Sequence, residues 1–500
     1  MIVIFRCDAN KYIGSGHLMR CLTIAGALKS LGHTSYFISN NTTPEFIELI
    51  KSNELNFIPI NTHTQKNRNE EWIEDAELSA KIIRKLKPHW IVVDHYQLDY
   101  KWENTIGKIC DNIIVLDDLS NRQHFCKLIL DPGINANLKN EYRKNSPSDC
   151  TLMIGPKYPI LRSEFDVEKN RLTRPLTIKK IQHVVIFFGG DDHKHHTINT
   201  IKSIMKIKKE LSIDVIISIS NQDKKEIEAY CKNNEKIKVH IATNEIAKLF
   251  SKADLSIGSG GTSTYERLYL QTPCLLKPIA KNQELALKWL KKYNLVELFH
   301  NQKQLKKIIN KYLENGITPP QDIIHNGLNC IISFIVNDGF WLKDIEPMDI
   351  KRSYNWLQNN TLRDNFMMLS KPTLKSHFQY WRNHKSTQKE ISFSICYFNE
   401  HIGTCGIKNI DANLGEAELW LYIGNEQYRS KGFGIKTISS LEKKASSQFN
   451  CRKIILHVSQ HNNIALNLYC RLGYKIVGKV DSHAYVKNTG TSVFRLEKKL

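Results

Sequence analysis

Short apolar runs alternate with longer amphipathic segments through the first part of the chain. Residues 17–31 fit a helix, and strands are predicted at 2–6, 35–39, 90–94, 113–117 and 128–131. Alternating strands and helices form a parallel, doubly wound sheet, and runs such as IVVD suit strands buried on both faces. The pattern predicts a first Rossmann-like lobe over residues 1–160.

A second alternating pattern follows a polar segment, residues 157–180, which contains two prolines and is interpreted as a linker. Strands are predicted at 183–188, 214–219, 237–241, 254–257 and 273–276, with a helical tail at 303–336. This pattern predicts a second Rossmann-like lobe over residues 175–336. Two such lobes would place a ligand in the cleft between them.

The rhythm changes near residue 340. Strands predicted at 391–398, 401–408 and 416–423 follow one another directly, as in an antiparallel meander. A helix at about 432–448, a strand at 453–458 and a helix at 462–471 come next. This order predicts an α+β domain over residues 340–500.

The composition excludes several classes of protein. The 500 residues include 12 cysteines with no CxxC pair, so no zinc ribbon or thioredoxin-like site is indicated. No apolar stretch reaches 18 residues and the N-terminus lacks signal-peptide features, so a cytoplasmic protein is expected. A net charge of +21 suits an anionic partner, although a lysine-rich proteome explains it equally well.

A glycine turn, Gly14-Ser15-Gly16-His17, joins the first strand to the first helix. Met19 replaces the third glycine of a dinucleotide-binding turn, which argues against a nicotinamide cofactor. A lone histidine is usually structural, but His17 lies at a helix start, where the helix dipole favours the neutral imidazole that can take a proton from water.

The second predicted lobe carries glycine turns after two of its strands. Gly189 and Gly190 follow one strand, and Gly260, Gly261, Thr262 and Ser263 follow another and open a helix that contains Glu266. Free N–H groups at such a turn can hold a diphosphate, and Glu266 can accept hydrogen bonds from ribose hydroxyls. The alternative is an ordinary capped helix, with Thr262 or Ser263 as the cap and Glu266 as the capping-box acid.

Several motifs carry a resemblance. SGGTSTYE followed by TPCLLKPIAKNQE resembles the uridine-diphosphate site of two-lobed, MurG-type glycosyltransferases of the glycosyltransferase-B fold. RCDANKYIGSGHLMRC, VVDHYQLDYKWE, VLDDLSNRQHFCKLILD and FFGGDD extend the likeness, and residues 1–335 together resemble the UDP-sugar hydrolases of pseudaminic acid biosynthesis.

The resemblance implies release of UDP from UDP-2,4-diacetamido-2,4,6-trideoxy-β-L-altropyranose without a metal. His17 would be the base that activates water, Asp94 and Tyr96 would lie near the sugar, and Glu266 would hold the ribose. Asn282 and Gln283 would lie near the sugar or phosphates.

The third domain contains Arg429, Lys431, Gly432, Phe433 and Gly434 in an RxxGxG pattern between a strand and a helix. Alone, this pattern fits a pyrophosphate site or merely a basic turn. A following motif with Asn463, Ala465, Tyr469 and Gly473 completes a resemblance over residues 340–500 to the GNAT family of N-acetyltransferases.

This resemblance implies acetyl-CoA as co-substrate, bound by the 429–434 loop, Ile423 and Asn463. Tyr469 would be the general acid that protonates the departing thiolate, although a core aromatic is the alternative. Glu416, Glu418 and His457 stay open as candidates for the general base.

Taken together, the two resemblances predict a bifunctional enzyme. The acetyltransferase would act on the 4-amino group of UDP-4-amino-4,6-dideoxy-N-acetyl-β-L-altrosamine, and the hydrolase would then release UDP. The alternatives are a MurG-like glycosyltransferase fused to another acetyltransferase, an RNA-associated protein, and a non-catalytic sugar-nucleotide sensor. No nucleic-acid or membrane partner is expected, and the oligomeric state is left open.

Overall fold

The computed structural model describes residues 1–10, 16–40, 42–61, 71–189, 192, 194–208, 210–218, 221–232, 234–383, 389–398, 400–480 and 484–500. The chain divides into two compact units, Met1–Ile332 and Ser333–Leu500. The three-domain division at 1–160, 175–336 and 340–500 stays a prediction. Within the described residues, no helix is both long and apolar enough to cross a membrane.

The first sheet of unit 1 is parallel and has the strand order β3-β2-β1-β4-β5-β6-β7. Its elements are β1 (Ile2–Cys7), α1 (Gly16–Ser30), β2 (Thr34–Ser39), α2 (Pro44–Ser52), β3 (Asn56–Pro59), α3 (Glu71–Leu86), β4 (Trp90–Asp94), α4 (Tyr100–Gly107), β5 (Ile113–Leu116), β6 (Leu128–Asp131), α5 (Leu138–Lys144) and β7 (Thr151–Ile154).

The second sheet of unit 1 is also parallel, with the order β10-β9-β8-β11-β12-β13. Its elements are α6 (Ser163–Arg171), β8 (His183–Phe187), α7 (His196–Ile207), β9 (Ser212–Ile217), α8 (Lys224–Cys231), β10 (Ile237–Ile241), α9 (Ile246–Lys252), β11 (Leu255–Ser259), α10 (Ser263–Tyr269), β12 (Cys274–Lys277), α11 (Lys281–Lys292), β13 (Glu297–Leu298), α12 (Gln302–Asn315) and α13 (Leu328–Asn337), the last of which runs on into unit 2.

Both sheets begin with the 3-2-1-4-5-6 strand order of a dinucleotide-binding fold. In that order the first strand and the fourth lie side by side where the strand order reverses, and ligands bind beyond their carboxyl ends. The predicted α/β class with two Rossmann-like lobes is confirmed.

The segment 157–180 is not the simple linker that was predicted. Its residues 163–171 form α6, and the buried Phe165 packs in a cluster with Leu249 and Phe250. The helical tail predicted at 303–336 is also interrupted between Asn315 and Leu328. In this break the Gly327 N–H donates to the carbonyl oxygen of Pro159 at 2.7 Å. A single buried aromatic in a polar segment gives too weak a periodic signal to reveal such a helix.

Unit 2 contains a mixed sheet with the strand order β14-β15-β16-β17-β18-β20-β19. Its elements are β14 (Phe340–Asp344), α14 (Pro347–Trp356), α15 (Asn360–Asn365), α16 (Leu374–Asn383), β15 (Ile391–Tyr397), β16 (Glu400–Asp411), β17 (Glu416–Ile423), a 3₁₀ turn (Glu426–Tyr428), α17 (Phe433–Phe449), β18 (Lys453–Ser459), α18 (Asn463–Arg471), β19 (Lys475–Lys479), α19 (Ala484–Thr489) and β20 (Val493–Lys499). The predicted α+β class is confirmed for this unit.

A chain of buried hydrogen bonds stabilises the first sheet. The Tyr142 hydroxyl lies 2.7 Å from Asp117 Oδ2 and 2.8 Å from Asp131 Oδ2. One phenolic proton cannot satisfy two carboxylates, so one carboxyl must itself donate. Burial raises the pKa of Asp131 to about 7, whereas the pKa of Asp117 is lowered well below its usual range by His124 and Arg122 despite burial. Protonated Asp131 therefore donates to Tyr142, and Tyr142 donates to Asp117.

This arrangement predicts a pH-dependent stability of the first sheet. The folded state holds the Asp131 proton up to about pH 7, whereas the unfolded chain loses it near the ordinary pKa of 3.8, so stability falls as the pH rises between these values. Asp131→Asn supplies a permanent N–H donor to Tyr142 and should remove that dependence. Hydrogen–deuterium exchange of β6 peptides at pH 5 and pH 8 measures it. Asp131→Leu is the control, because leucine cannot donate a hydrogen bond to Tyr142. An equal pH response in wild type and Asp131→Asn would contradict the assignment of a protonated Asp131.

Candidate functional site

His17 and Asp94 form a buried pair at the carboxyl edge of the first sheet. His17 is the second residue of α1, Asp94 ends β4, and the His17 Nδ1 is hydrogen-bonded to Asp94 Oδ1. Burial would raise the pKa of Asp94, but Arg20 and His17 outweigh it and lower the pKa to about 2. Asp94 is therefore an ionised acceptor, and the His17 Nδ1 must carry a proton to donate to it.

Tyr96 covers the other side of the histidine. The two rings meet edge to face with their centroids 4.5 Å apart, and the Tyr96 hydroxyl lies 3.3 Å from Asp118 Oδ2. The aromatic contact and the Asp94 hydrogen bond together restrict the orientation of the imidazole of His17.

The glycine turn of the second sheet faces the start of α1. A Cβ on Gly16 would lie 3.4 Å from Thr262 Cγ2, so the first residue of α1 approaches this turn closely within unit 1. Gly14 and Gly190, both predicted site residues, lie outside the described residues.

The remaining residues predicted in the second lobe lie near one another. Gly189 has a φ of +92°, which favours glycine, and its hydrogen faces Ser259 Oγ. Gly260 packs against Leu287, and a Cβ on Gly261 would lie 3.9 Å from the side-chain nitrogen of Gln283. Gln283 Oε1 also accepts the N–H of Ile279 at 3.1 Å. Asn282 lies on α11, but its side chain is outside the described residues.

The capping-box alternative for this turn is not observed. Thr262 makes no side-chain capping hydrogen bond, Ser263 Oγ instead accepts from Arg267 Nη1 at 2.9 Å, and Glu266 receives Arg162 Nη2 at 3.3 Å. Burial raises the pKa of Glu266, and Arg162 opposes that rise. Glu266 is thus not used as a cap.

The side chain of Arg267 supports the glycine turn at 260–263 through hydrogen bonds. It is fully buried, and its guanidinium donates to Ser256 Oγ at 2.8 Å and to the carbonyl oxygen of Phe187 at 2.7 Å. These bonds connect β11 to the end of β8, and each of these two strands is followed by one of the glycine turns. The sequence patterns did not indicate Arg267, because its partners come from distant parts of the chain.

Unit 2 contains a gap between two parallel strands. In the described part of the chain, β17 and β18 pair at only three positions, Glu416 with Lys453 through Glu418 with Ile455. Beyond that point β17 continues to pair with β16, and β18 with β20. The facing edges of β17 and β18 therefore diverge toward Ile423 and Ser459 and leave backbone groups available to an extended ligand.

A glycine loop lies at the open end of β17. Gly432 has a φ of +83° and precedes the N-terminus of α17, a helix of 17 residues whose first N–H groups lack helical partners. Arg429 closes this loop on β17 by donating to the carbonyl oxygens of Ile423 at 3.1 Å and Gly424 at 3.3 Å. Lys431 is exposed on the loop, whereas Phe433 is buried in the core of unit 2.

The loop adjoins the helix that carries Tyr469. A Cβ on Gly434 would lie 3.2 Å from Leu468 Cδ2, one residue before Tyr469. Tyr469 is buried, its ring packs 5.8 Å from that of Tyr474, and burial raises the pKa of its hydroxyl. Asn463 is exposed at the start of α18, which Asn462 caps instead.

The candidate bases differ in their partners. Glu416 pairs with Lys453 at 2.5 Å. Glu418 contacts Lys408 at 3.1 Å and His457 Nδ1 at 2.9 Å, and although burial opposes it, His457 and Lys408 lower the pKa of Glu418 to about 2. Both carboxylates are therefore engaged as ion-pair acceptors. Among the described residues, no group of three or more metal-ligating side chains is found.

Comparisons with known proteins cover both units. An uncharacterized protein of Methanocaldococcus jannaschii is 22% identical over 490 residues, which span 94% of this chain and 95% of the relative. The UDP-2,4-diacetamido-2,4,6-trideoxy-β-L-altropyranose hydrolase of Campylobacter jejuni is 25% identical over 295 residues, spanning 58% of this chain and 97% of that enzyme. The crystal structure of MurG from Acinetobacter baumannii aligns with 67% of this chain and 99% of its own, at 13% identity and a TM-score of 0.46.

Residues 355–474 match the acetyltransferase (GNAT) family. The N-terminal region is homologous to the UDP-sugar hydrolases of the pseudaminic acid pathway, and the C-terminal region is a GNAT acetyltransferase domain.

Proposed function

We propose that this chain catalyses two consecutive steps on one UDP-sugar. Unit 2 acetylates the 4-amino group of UDP-4-amino-4,6-dideoxy-N-acetyl-β-L-altrosamine with acetyl-CoA, and unit 1 hydrolyses the resulting diacetamido sugar nucleotide to UDP and free sugar. The observation that carries the proposal is the buried His17–Asp94 pair in a region homologous to such hydrolases, on the same chain as a GNAT domain.

In the hydrolase step, His17 acts as the base. Its Nε2 takes a proton from water as the oxygen attacks the anomeric carbon, and the bond from that carbon to the UDP oxygen breaks. Asp94 stabilises the imidazolium that forms, since it is a fully buried carboxylate in direct contact with Nδ1. Gly16, Asp94 and Tyr96 would line the sugar side.

The opposite sheet of unit 1 would hold UDP. The backbone of the turns at Gly189 and Gly260–Ser263 offers N–H groups to the diphosphate, and Glu266 accepts hydrogen bonds from the ribose. Gln283, beside Gly261, and its neighbour Asn282 would contact the sugar or phosphates. The rigid support from Arg267 favours a turn that is already formed before the nucleotide binds.

In the acetyl transfer step, the gap between β17 and β18 suits the extended arm of acetyl-CoA, and the 429–434 loop suits its pyrophosphate. The neutral amine attacks the thioester carbonyl, the C–S bond breaks, and Tyr469 protonates the departing thiolate, while the proton that the amine nitrogen loses passes, directly or through water, to the phenolate and restores Tyr469. Burial raises the pKa of the phenol, so Tyr469 carries its proton before that step.

Loss of the first base should separate the two steps. His17→Ala removes the proton acceptor and should lower the rate of UDP release by about 10²- to 10⁴-fold while CoA release continues at the wild-type rate. Mass spectrometry of the products should show the acetylated UDP-sugar accumulating. The control is His183→Ala, because His183 also pairs with an aspartate, Asp214, but begins β8 at the opposite edge of its sheet. Unchanged UDP release in His17→Ala would contradict the role of His17.

Loss of the second acid should give the reverse pattern. Tyr469→Phe removes only a hydroxyl and should lower acetyl transfer by about 100-fold, with UDP release from the diacetamido substrate unchanged. Thiol release measures the first activity and UDP the second. The matched control is Tyr474→Phe, which also loses a buried hydroxyl, bonded to Glu442 at 2.7 Å, and should keep its acetyl transfer rate. Equal losses in the two variants would assign Tyr469 to the core alone.

A further inference from the structure

Arg20 lies one turn beyond His17 on the same face of α1 and is also hydrogen-bonded to Asp94. Its Nη2 is 2.8 Å from Asp94 Oδ1 and its Nε is 3.0 Å from Oδ2, a two-point contact with both carboxylate oxygens. Its Nη1 lies 3.4 Å from Asp118 Oδ2. The guanidinium thus joins two carboxylates beside the histidine.

Arg20 and His17 compete for one acceptor. Asp94 Oδ1 receives both the His17 Nδ1 and the Arg20 Nη2, and these two nitrogens are 3.3 Å apart. A second proton on the imidazole would set two cations side by side in a buried site, which costs free energy even though Asp94 is near. The guanidinium therefore opposes protonation of His17, whereas the carboxylates favour it.

The described groups around this cluster come from several elements, and one of them, Asp131 of β6, titrates near neutral pH because burial raises its pKa to about 7. Tyr96 packs on His17 from the loop after β4, and Tyr265 approaches Arg20 and Asp118 from α10. Cys21, on α1, contacts Cys7 of β1 beneath the cluster. Burial raises the pKa values of Tyr265 and Cys21, so both keep their protons. Among the described residues, Arg20, Asp94 and Asp118, with Asp131 near Asp118, are thus the charged groups that bear on the protonation of His17.

We infer that Arg20 is a positioning residue that opposes a second proton on His17 and, through their shared partner Asp94, holds the His17 Nδ1 toward that carboxylate. The mechanistic meaning rests on the proposed hydrolase function, in which a neutral His17 takes a proton from water. The electrostatic statement concerns the protein alone and can be tested without any substrate.

The test is the pH dependence of deuterium exchange at the imidazole C2 of His17, followed by mass spectrometry on the full chain. Arg20→Gln removes the opposing charge and should move the His17 midpoint upward by about one pH unit. Arg20→Lys keeps the charge and should leave the His17 midpoint within about 0.3 pH unit of the wild-type value.

Two further variants keep the test decisive. Asp118→Asn changes a partly exposed side chain, so the fold should persist, and the loss of a nearby negative charge should move the His17 midpoint downward. Arg122→Gln is the matched control, because Arg122 is equally buried and pairs with Asp117 at 2.8 Å. Its midpoint should equal that of wild type. An Arg20→Gln midpoint that equals the Arg122→Gln value, or lies below it, would overturn the inference.

The activity readout separates this inference from the proposed function. If unit 1 is the hydrolase, the acid limb of kcat/KM for UDP release should move upward in Arg20→Gln by the same amount as the exchange midpoint. A shifted midpoint with no UDP release by the wild-type chain would reject the hydrolase function and keep the electrostatic role of Arg20. Release of UDP by the wild-type chain, with an unchanged His17 midpoint in Arg20→Gln, would keep the hydrolase function and reject the electrostatic role of Arg20.

Discussion

The charge of the buried Asp94 carboxylate governs the arrangement of the first candidate site. An ionised carboxylate without solvent must be compensated, and His17 and Arg20 supply that compensation from one helix. The helix α1 lies against the end of β4, and the 3-2-1-4 strand order makes β1 and β4 neighbours. The fold therefore determines which side chains can meet the aspartate, and its charge keeps a proton on the His17 Nδ1.

Much of the fold could be predicted from the sequence, because apolar strands and amphipathic helices alternate with clear periods. The strands β3 and β7 were missed, since each has only four residues and mixed burial. The glycine turns, His17 and Asp94 were predicted from motifs. Arg20 and Asp118 were not, because Arg20 becomes important only through its contacts with Asp94 and Asp118, which lie far away in the sequence. The three-residue spacing from His17 to Arg20 was nevertheless a usable signal.

The two units support their glycine turns in different ways. In unit 1 a buried arginine supports glycine turns that start from the ends of parallel strands, whereas in unit 2 Arg429 draws a glycine loop onto a strand whose partner diverges. The full-length likeness to the Methanocaldococcus jannaschii protein indicates that this joined architecture is not confined to one chain. On the proposed function, the product of one unit is the substrate of the other, and the linkage raises its local concentration.

The most direct test of the two-step account is a reaction of the purified chain with the UDP-4-amino sugar, with and without acetyl-CoA, followed by mass spectrometry. The account predicts that CoA, UDP and the free diacetamido sugar form when acetyl-CoA is present, and that the UDP-4-amino sugar stays intact when it is absent. Release of UDP at the same rate without acetyl-CoA, or acetylation without any UDP release, would contradict the consecutive order.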